Sequence, residues 1–281
     1  MNENKIDILF MVGHYIPIFV FLVKFFIKSK IVFCDHGSLI NQIEDKKTKL
    51  FRKIACKMSD KIIVLTKRNL KDYIKIFKVK SEKIDFIYNF IDENTYKCVY
   101  NYNLESRFII SAGRFSVEKG FNMLVEVANK VFKIHKNWQW HIFGDGPEFE
   151  SIQNKILKYK LEKNLILKFK VDDLNKIYKN YSLFVLTSYR EGLPMVLLEA
   201  KANKLPIVSF NCLTGPAEIV KNDINGFLIN CYDKNEMADK INTLVENKIL
   251  RKKFSENSYV DIEKFDKNII IKKWENLIDN L

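Results

Sequence analysis

Apolar residues in this chain gather into short runs, and amphipathic stretches of helical length separate those runs from one end to the other. Residues 6–12, 30–34, 61–65 and 85–88 read as strands with helical spacing between them. A polar stretch over 92–106 breaks the rhythm and reads as a linker. Strand patterns resume at 108–111, 138–143, 165–168, 182–186, 206–209 and 226–229, with helical patterns over 118–135, 147–160, 194–202 and 234–247. Such alternation predicts βαβ units and parallel sheets covered on both faces. The run Leu183-Phe184-Val185-Leu186, apolar without alternation, fits a central strand. The most apolar segment, 15–27, is shorter than the ~20 residues a bilayer span needs and carries Lys24, so the pattern predicts a buried crossover helix. The opening residues show no basic stretch leading into an apolar run and cleavage site, hence no signal peptide is expected.

A length of 281 residues suits two ordinary domains with real cores. At 47% apolar and 29% charged the chain is folded rather than disordered, and nine Gly and five Pro exclude collagen-like or Pro-rich repeats. Five cysteines (34, 56, 98, 212 and 231) are scattered without a CxxC pair, which argues against a disulfide framework or structural zinc and for a reducing cytoplasm. The net charge of +13 suits an anionic partner: a phosphate-bearing substrate, nucleic acid, or an acidic membrane surface. A sequence rich in Lys, Asn and Ile throughout would produce the same excess.

In open α/β sheets ligands sit beyond the carboxyl ends of strands, and three segments there carry chemistry. Gly113-Arg114 and Lys119-Gly120 flank a strand-to-helix turn where two cations can neutralise a diphosphate, and an ordinary surface turn is the plainer reading. Gly144-Asp145-Gly146-Pro147 ends a strand in a turn that allows close approach of a ligand, or that simply turns the chain. In the third, Glu191, Gly192 and Leu193 precede a helix that starts at Pro194, whose free N–H groups suit anionic oxygens. Glu199 lies about two turns further on, on an otherwise apolar helix where a carboxylate needs a hydrogen-bond partner, and a ligand diol would supply one.

Taken in order and spacing, Gly113-Arg114-x4-Lys119-Gly120, Gly144-x-Gly146-Pro147 and Glu191-x7-Glu199 resemble the retaining glycosyltransferase family 4. The segments 209–219 and 225–228 resemble its members that build bacterial surface polysaccharides such as lipopolysaccharide or capsule. The resemblance implies a GT-B fold of two facing Rossmann-like domains: a shortened acceptor-side domain over 1–105, a nucleotide-sugar-binding domain over 106–265, and a last helix over 266–281 that returns to the first. It further implies that Arg114 and Lys119 bind the donor diphosphate, and that Glu191 contacts the transferred sugar. Glu199 would take the ribose hydroxyls, Gly113, Gly144, Gly146, Gly192, Leu193 and Pro194 would line the donor site, and His36 in Asp35-His36-Gly37 would lie near the donor sugar.

Two departures stand out. Family members open with a Gly-rich loop and further βα units ahead of the segment matched here by 6–12. The loop after 165–167 reads Lys168-Phe169-Lys170 where a Gly is usual. The expected activity is transfer of a hexosyl unit from UDP-sugar or another nucleoside diphosphate sugar to a glycan acceptor, lipid-linked, with retention. No Asp-x-Asp sequence is present, so cations of the protein are expected to replace a divalent metal, and no other cofactor is expected. The expected place is the cytoplasm, peripherally on the anionic inner membrane face. Lys24, Lys28 and Lys30 border the apolar segment, and Lys46, Lys47, Lys49, Arg52, Lys53 and Lys57 follow on one helical pattern. A second reading is an inactive remnant, or a subunit that needs a separate N-terminal piece. A nucleic-acid binder, motivated by an isoelectric point near 9.3, lacks any binding module, and no nucleic-acid partner is expected.

Overall fold

In a computed structural model of the chain, which describes residues 6–13, 15–91, 95 and 102–281, two parallel sheets form side by side. The first holds β1 (Ile8–Val12), β2 (Lys30–Asp35), β3 (Lys61–Val64) and β4 (Ile84–Phe86) in that spatial order. Its register sets Cys34 beside Val12 on one side and Ile63 on the other. The connections are α1 (Pro17–Val23), α2 (Lys46–Met58) and α3 (Lys67–Phe77). Most of the linker expected over 92–106 lies outside the described residues, as do residues 1–5 and Cys98.

The second sheet holds β5 (Phe108–Ala112), β6 (Gln139–Phe143), β7 (Leu165–Lys168), β8 (Leu183–Leu186), β9 (Ile207–Phe210) and β10 (Gly226–Ile229). Their order is β10-β9-β8-β5-β6-β7, so the chain starts in the middle at β5, winds outward to β7, and crosses back to β8. This is the Rossmann order, and its reversal between β5 and β8 opens a crevice at their carboxyl ends. All four residues of β8 are buried, as a strand covered on both faces requires. The helices are α4 (Phe121–Ile134), α5 (Phe149–Lys158), α6 (Asn175–Tyr178), α7 (Met195–Ala202), α8 (Pro216–Ile219), α9 (Lys234–Glu246) and α10 (Lys248–Glu256). Side-chain oxygens start several of them: Asp45 accepts from the Lys47 N–H, Thr66 from Asn69, and Asp233 from Asn235 and Glu236.

The chain returns to the first domain through α11 (Lys267–Asp279), capped by Asp266. Trp274 meets Phe10 edge-on at 6.0 Å and the Lys273 ammonium lies 5.1 Å from the Phe86 ring centre. Just before it, Phe265 is fully buried with its ring 4.9 Å from that of Tyr88, and its carbonyl accepts from the Ile91 N–H. One apolar cluster therefore runs from Val32 and Ile63 in the first sheet, through Tyr88 and Phe265, to Phe184 and Leu197 in the second.

Two expectations need correction. The segment over 15–27 does form the crossover between the parallel strands β1 and β2, but it is not a buried helix: α1 covers seven residues and a 3-10 turn follows over Lys24–Phe26. Val20 is buried, but Phe19, Leu22 and Phe26 are 69%, 68% and 84% exposed. An apolar run reports the capacity for burial, and here only one side finds a neighbour. Among the described residues no helix is long and apolar enough to cross a membrane. Arg52, expected with its neighbouring lysines on a basic helical face toward an anionic membrane, is fully buried beside Asp35. Its Nε donates to Asp35 Oδ2 at 2.8 Å, its Nη2 to Gln42 at 2.6 Å, and the buried Tyr73 hydroxyl donates to Asp35 at 2.6 Å. Spacing explains the position, since Thr48, Arg52 and Ala55 fall on the inward face of α2.

Removing one partner of a buried pair strands the other charge. Arg52→Met should therefore cost about 3–5 kcal/mol of folding stability. Tyr73→Phe, which deletes one hydrogen bond to a charged acceptor, should cost about 1.5–3 kcal/mol. Urea unfolding of the purified variants measures both, and equal midpoints for Arg52→Met and the parent protein would contradict the network's structural role.

Candidate functional site

The reversal point of the second sheet brings together the loops after β5 and β8. From β5 the chain runs through Gly113 and Arg114 into a 3-10 turn, Val117–Lys119, and Gly120 takes a left-handed conformation (φ 65°) to enter α4. From β8 it runs through Thr187 and Ser188 to Glu191. Cross-links tie the loops: the Tyr189 N–H donates to the Glu118 carbonyl, Thr187 Oγ1 to the Lys119 carbonyl, and Arg190 pairs with Glu118 at 2.8 Å. The Glu118 backbone N–H, helped by Arg190 and Ser116, holds the Glu118 carboxyl down at about 2.

Across this junction Lys119 Nζ stands 2.7 Å from Glu191 Oε1, with the Glu191 side chain only 8% exposed. Ser188 Oγ donates to the same oxygen at 2.6 Å. The loop after β9 braces the carboxylate from behind, where Thr214 donates to the Glu191 carbonyl. Cys212 Sγ donates to the Ser188 carbonyl. Arg114, in the same loop as Lys119, is exposed and has no ion-pair partner among the described residues. Structure thus unites Lys119 with Glu191 and leaves Arg114 as an unpaired cation nearby in sequence.

The glycines of the second motif serve the loops themselves. A Cβ on Gly144 would lie 2.0 Å from the Gly113 carbonyl oxygen and 2.9 Å from the Phe115 ring, and one on Gly146 would lie 2.6 Å from the Phe115 carbonyl oxygen. The close approach they permit is between the turns after β5 and β6, which fixes the floor beside Arg114. Leu193 and Pro194 are buried at the start of α7, two residues beyond Glu191.

Glu199 sits one α7 turn and more below, and its partner is within the protein. The Tyr178 hydroxyl donates to Glu199 Oε2 at 3.2 Å. Burial raises the Glu199 pKa, the Tyr178 hydroxyl opposes the rise, and Asp173 adds to it. The hydrogen-bond partner expected for this carboxylate is thus supplied in part by Tyr178. Tyr178 escaped notice because α6 is one turn long, too short for a periodic signal.

The first domain contributes His36, exposed at the end of β2. Its loop is held from behind: Asp35 accepts from the Gly37 N–H, Asn69 Nδ2 donates to the Gly37 carbonyl, and Asn69 Oδ1 accepts from the Leu39 N–H. Its front meets the second domain, where a Cβ on Gly192 would fall 2.3 Å from the His36 carbonyl oxygen. Asn41 reaches Thr214 at 3.5 Å, and Glu218 accepts from both the Arg68 N–H and the Tyr88 hydroxyl, the latter at 2.6 Å. The His36 backbone thus meets Gly192, the immediate neighbour of Glu191, which pairs with Lys119. Asp35, Arg52, Tyr73 and Asn69 support the His36 loop, a role that the sequence pattern assigns to none of them. The signal available was the helical spacing that puts Arg52 among inward residues.

The family described as Glycosyl transferases group 1 matches residues 92–261, and that described as Glycosyltransferase Family 4 matches 1–95. The chain is 31% identical over 259 residues to the amylovoran biosynthesis glycosyltransferase AmsD of Erwinia amylovora, covering 91% of this chain and 72% of that protein. It is 32% identical over 220 residues to a poly(ribitol-phosphate) alpha-N-acetylglucosaminyltransferase of Staphylococcus aureus, covering 78% of this chain and 44% of the other. The crystal structure of TarM, an S. aureus protein also solved with UDP, superposes with a TM-score of 0.85 at 28% identity, over 96% of this chain and 54% of that one. Anabaena HepE, solved with UDP and glucose, shares the fold at a TM-score of 0.87 and 19% identity, over 98% of this chain and 78% of that one. The chain thus spans about half the length of TarM. Two Rossmann-like α/β domains in the GT-B arrangement are common to these structures and this one.

Since a Gly192 Cβ cannot coexist with the His36 carbonyl at 2.3 Å, Gly192→Ala must move the loops apart by roughly 1 Å to reach ordinary contact distance. The variant should keep its far-ultraviolet circular dichroism yet show a larger radius of gyration in small-angle X-ray scattering. An unchanged scattering curve would mean that this contact does not set the domain spacing.

Proposed function

Because the chain belongs to the glycosyl transferases group 1 family, we propose that it moves a hexosyl unit from a nucleoside diphosphate sugar to a glycan acceptor with retention of anomeric configuration, as a family 4 enzyme of bacterial surface-polysaccharide synthesis. The observation that carries this reading is the Lys119–Glu191 pair at the reversal point, next to Gly192, whose backbone packs on the His36 carbonyl. A cation and a carboxylate poised together suit a ligand with an anionic and a polyhydroxyl end. Lys119 turns to the diphosphate when donor binds, and Glu191, released, accepts from hydroxyls of the sugar. Arg114, already unpaired, adds a second cation, and the first N–H groups of α7 beyond Pro194 add partial positive charge. Charge that develops on the departing diphosphate is then stabilised by groups already in place, without calling on a divalent metal. Glu199 accepts from the ribose hydroxyls, and His36 borders the sugar from the acceptor side.

Calorimetric titration tests the division of roles. Arg114→Ala or Lys119→Ala should weaken UDP by about 1.5–3 kcal/mol and leave uridine unaffected, the scale of a hydrogen bond to a charged group. Glu199→Gln should weaken both ligands. The parent protein should also lose affinity as pH falls through the raised Glu199 pKa, because the protonated carboxyl is a weaker acceptor for a diol than the charged carboxylate, and the Gln variant should lack that dependence. Equal losses for UDP and uridine in the Arg114 and Lys119 variants would reject the diphosphate assignment.

The acceptor in this reading is lipid-linked, at the cytoplasmic membrane face. What favours it is the apolar surface of α1 and of the 3-10 turn after it, where Phe19, Leu22 and Phe26 stand exposed, near α2 with its exposed Lys46, Lys47, Lys49, Leu50, Lys53 and Lys57. Lysines meeting anionic headgroups around apolar side chains make an interfacial contact. Co-sedimentation with phosphatidylglycerol vesicles should persist in part at 1 M salt, where the Debye length is about 3 Å, and fall when Phe19 and Leu22 become Ser. Absence of binding at low salt would remove the membrane from the proposal.

A further inference from the structure

The groove between α3 and α8 plays no part in donor binding. It measures roughly 450 Å³ and is lined on one side by Lys67, Arg68, Lys71 and Lys75, on the other by Glu218. All four cations are exposed. Arg68 is engaged by Asp72 at 3.2 Å, whereas Lys67, Lys71 and Lys75 have no ion-pair partner among the described residues. Glu218 would repel an anion, but its two oxygens already accept from the Arg68 N–H and the Tyr88 hydroxyl. The three lysines recur every fourth residue and so form a stripe, one cation per ~6 Å of helix. That stripe begins at the cleft, because Asn69 in the first turn of α3 grips the loop that presents His36.

We propose that this stripe is an acceptor-binding track for a linear chain with negative charge at regular intervals, such as a repeating phosphodiester or a uronate polymer. The inference rests on the transferase reading and names its acceptor class. A neutral glycan gains nothing from three lysines without ion-pair partners, of which Lys67 also has its ammonium 5.6 Å from the Phe86 ring centre. An anionic chain laid along α3 meets one cation after another, and its end is delivered past Gly37 to the donor sugar. Residues 1–105 hold 19 Lys+Arg and 12 Asp+Glu, so the whole acceptor-side domain, at +7, draws such a chain from a distance.

Fluorescence anisotropy with labelled oligomers tests the track, using a glycerol-phosphate hexamer, a galacturonate hexamer and a maltohexaose. The full chain should bind one or both anionic oligomers with affinity that falls as salt rises, and the neutral one much more weakly. Replacement of Lys67, Lys71 and Lys75 together by Gln should weaken the anionic oligomers roughly tenfold, what three exposed ion pairs amount to. Replacement of Lys53 and Lys57 on α2 by Gln should not. UDP titration of the same variants should be unchanged, which keeps this test apart from the donor site: loss of UDP binding in the parent protein would bring down the transferase reading itself. Equal binding of the neutral hexamer, or an undiminished affinity in the triple variant, overturns the track. Binding of anionic vesicles through these three lysines without binding of either oligomer overturns it too, in favour of a lipid surface.

Discussion

The bare backbone of Gly192 against the His36 carbonyl decides how near the two domains stand, and most of the site's geometry follows from that distance. With no side chain between them, the carboxyl edges of two parallel sheets come close enough for one small molecule to touch both. Asn41 with Thr214, and Glu218 with Arg68 and Tyr88, add polar contacts at the same level. None is a large apolar interface. The domains meet through a few directional contacts around a cleft, while the apolar continuity between them runs behind it through Tyr88 and Phe265.

Charge in this molecule is placed where it can be held. Asp35 and Arg52 are both fully buried, and Tyr73, Gln42 and the Gly37 N–H add hydrogen bonds that help hold the pair, with Arg52 Nη1 left without a partner. That cluster keeps the His36 loop in one position. Lys119 and Glu191 are nearer to solvent and have fewer partners, so they remain available to a ligand. The contrast separates a pair that positions from a pair that can react to binding. Glu199 is intermediate: a half-buried carboxylate with one phenolic partner, its pKa raised by desolvation, remains sensitive to what arrives beside it.

Much of this was legible in the sequence. Alternating runs identified the strands, and every motif residue chosen at a strand end stands at a strand end. The less legible parts depend on neighbours that periodicity does not name. An apolar run such as 15–27 states which side chains tolerate burial, not whether anything covers them. A lone Arg on an amphipathic helix looks like solvated charge until Asp35 is found opposite it. Gly144 and Gly146 read either as room for a ligand or as a plain turn, and what stands where their Cβ atoms would be is the turn after β5. Tyr178 lies on a single helical turn that leaves no pattern at all.

The chain leaves the first domain beyond Ile91 and comes back at Phe265, and Ile91 bridges in parallel to Asp266. Departure and return therefore share one line at the rear of the cleft. A pair of rigid leaves joined along one such line keeps a single easy rotation, about that line, while twist and sideways slip would shear two peptide segments against each other. Closure over a substrate then needs no search through six degrees of freedom. The surfaces that must meet are already on intersecting arcs, and the entropy of finding each other was spent when the chain folded.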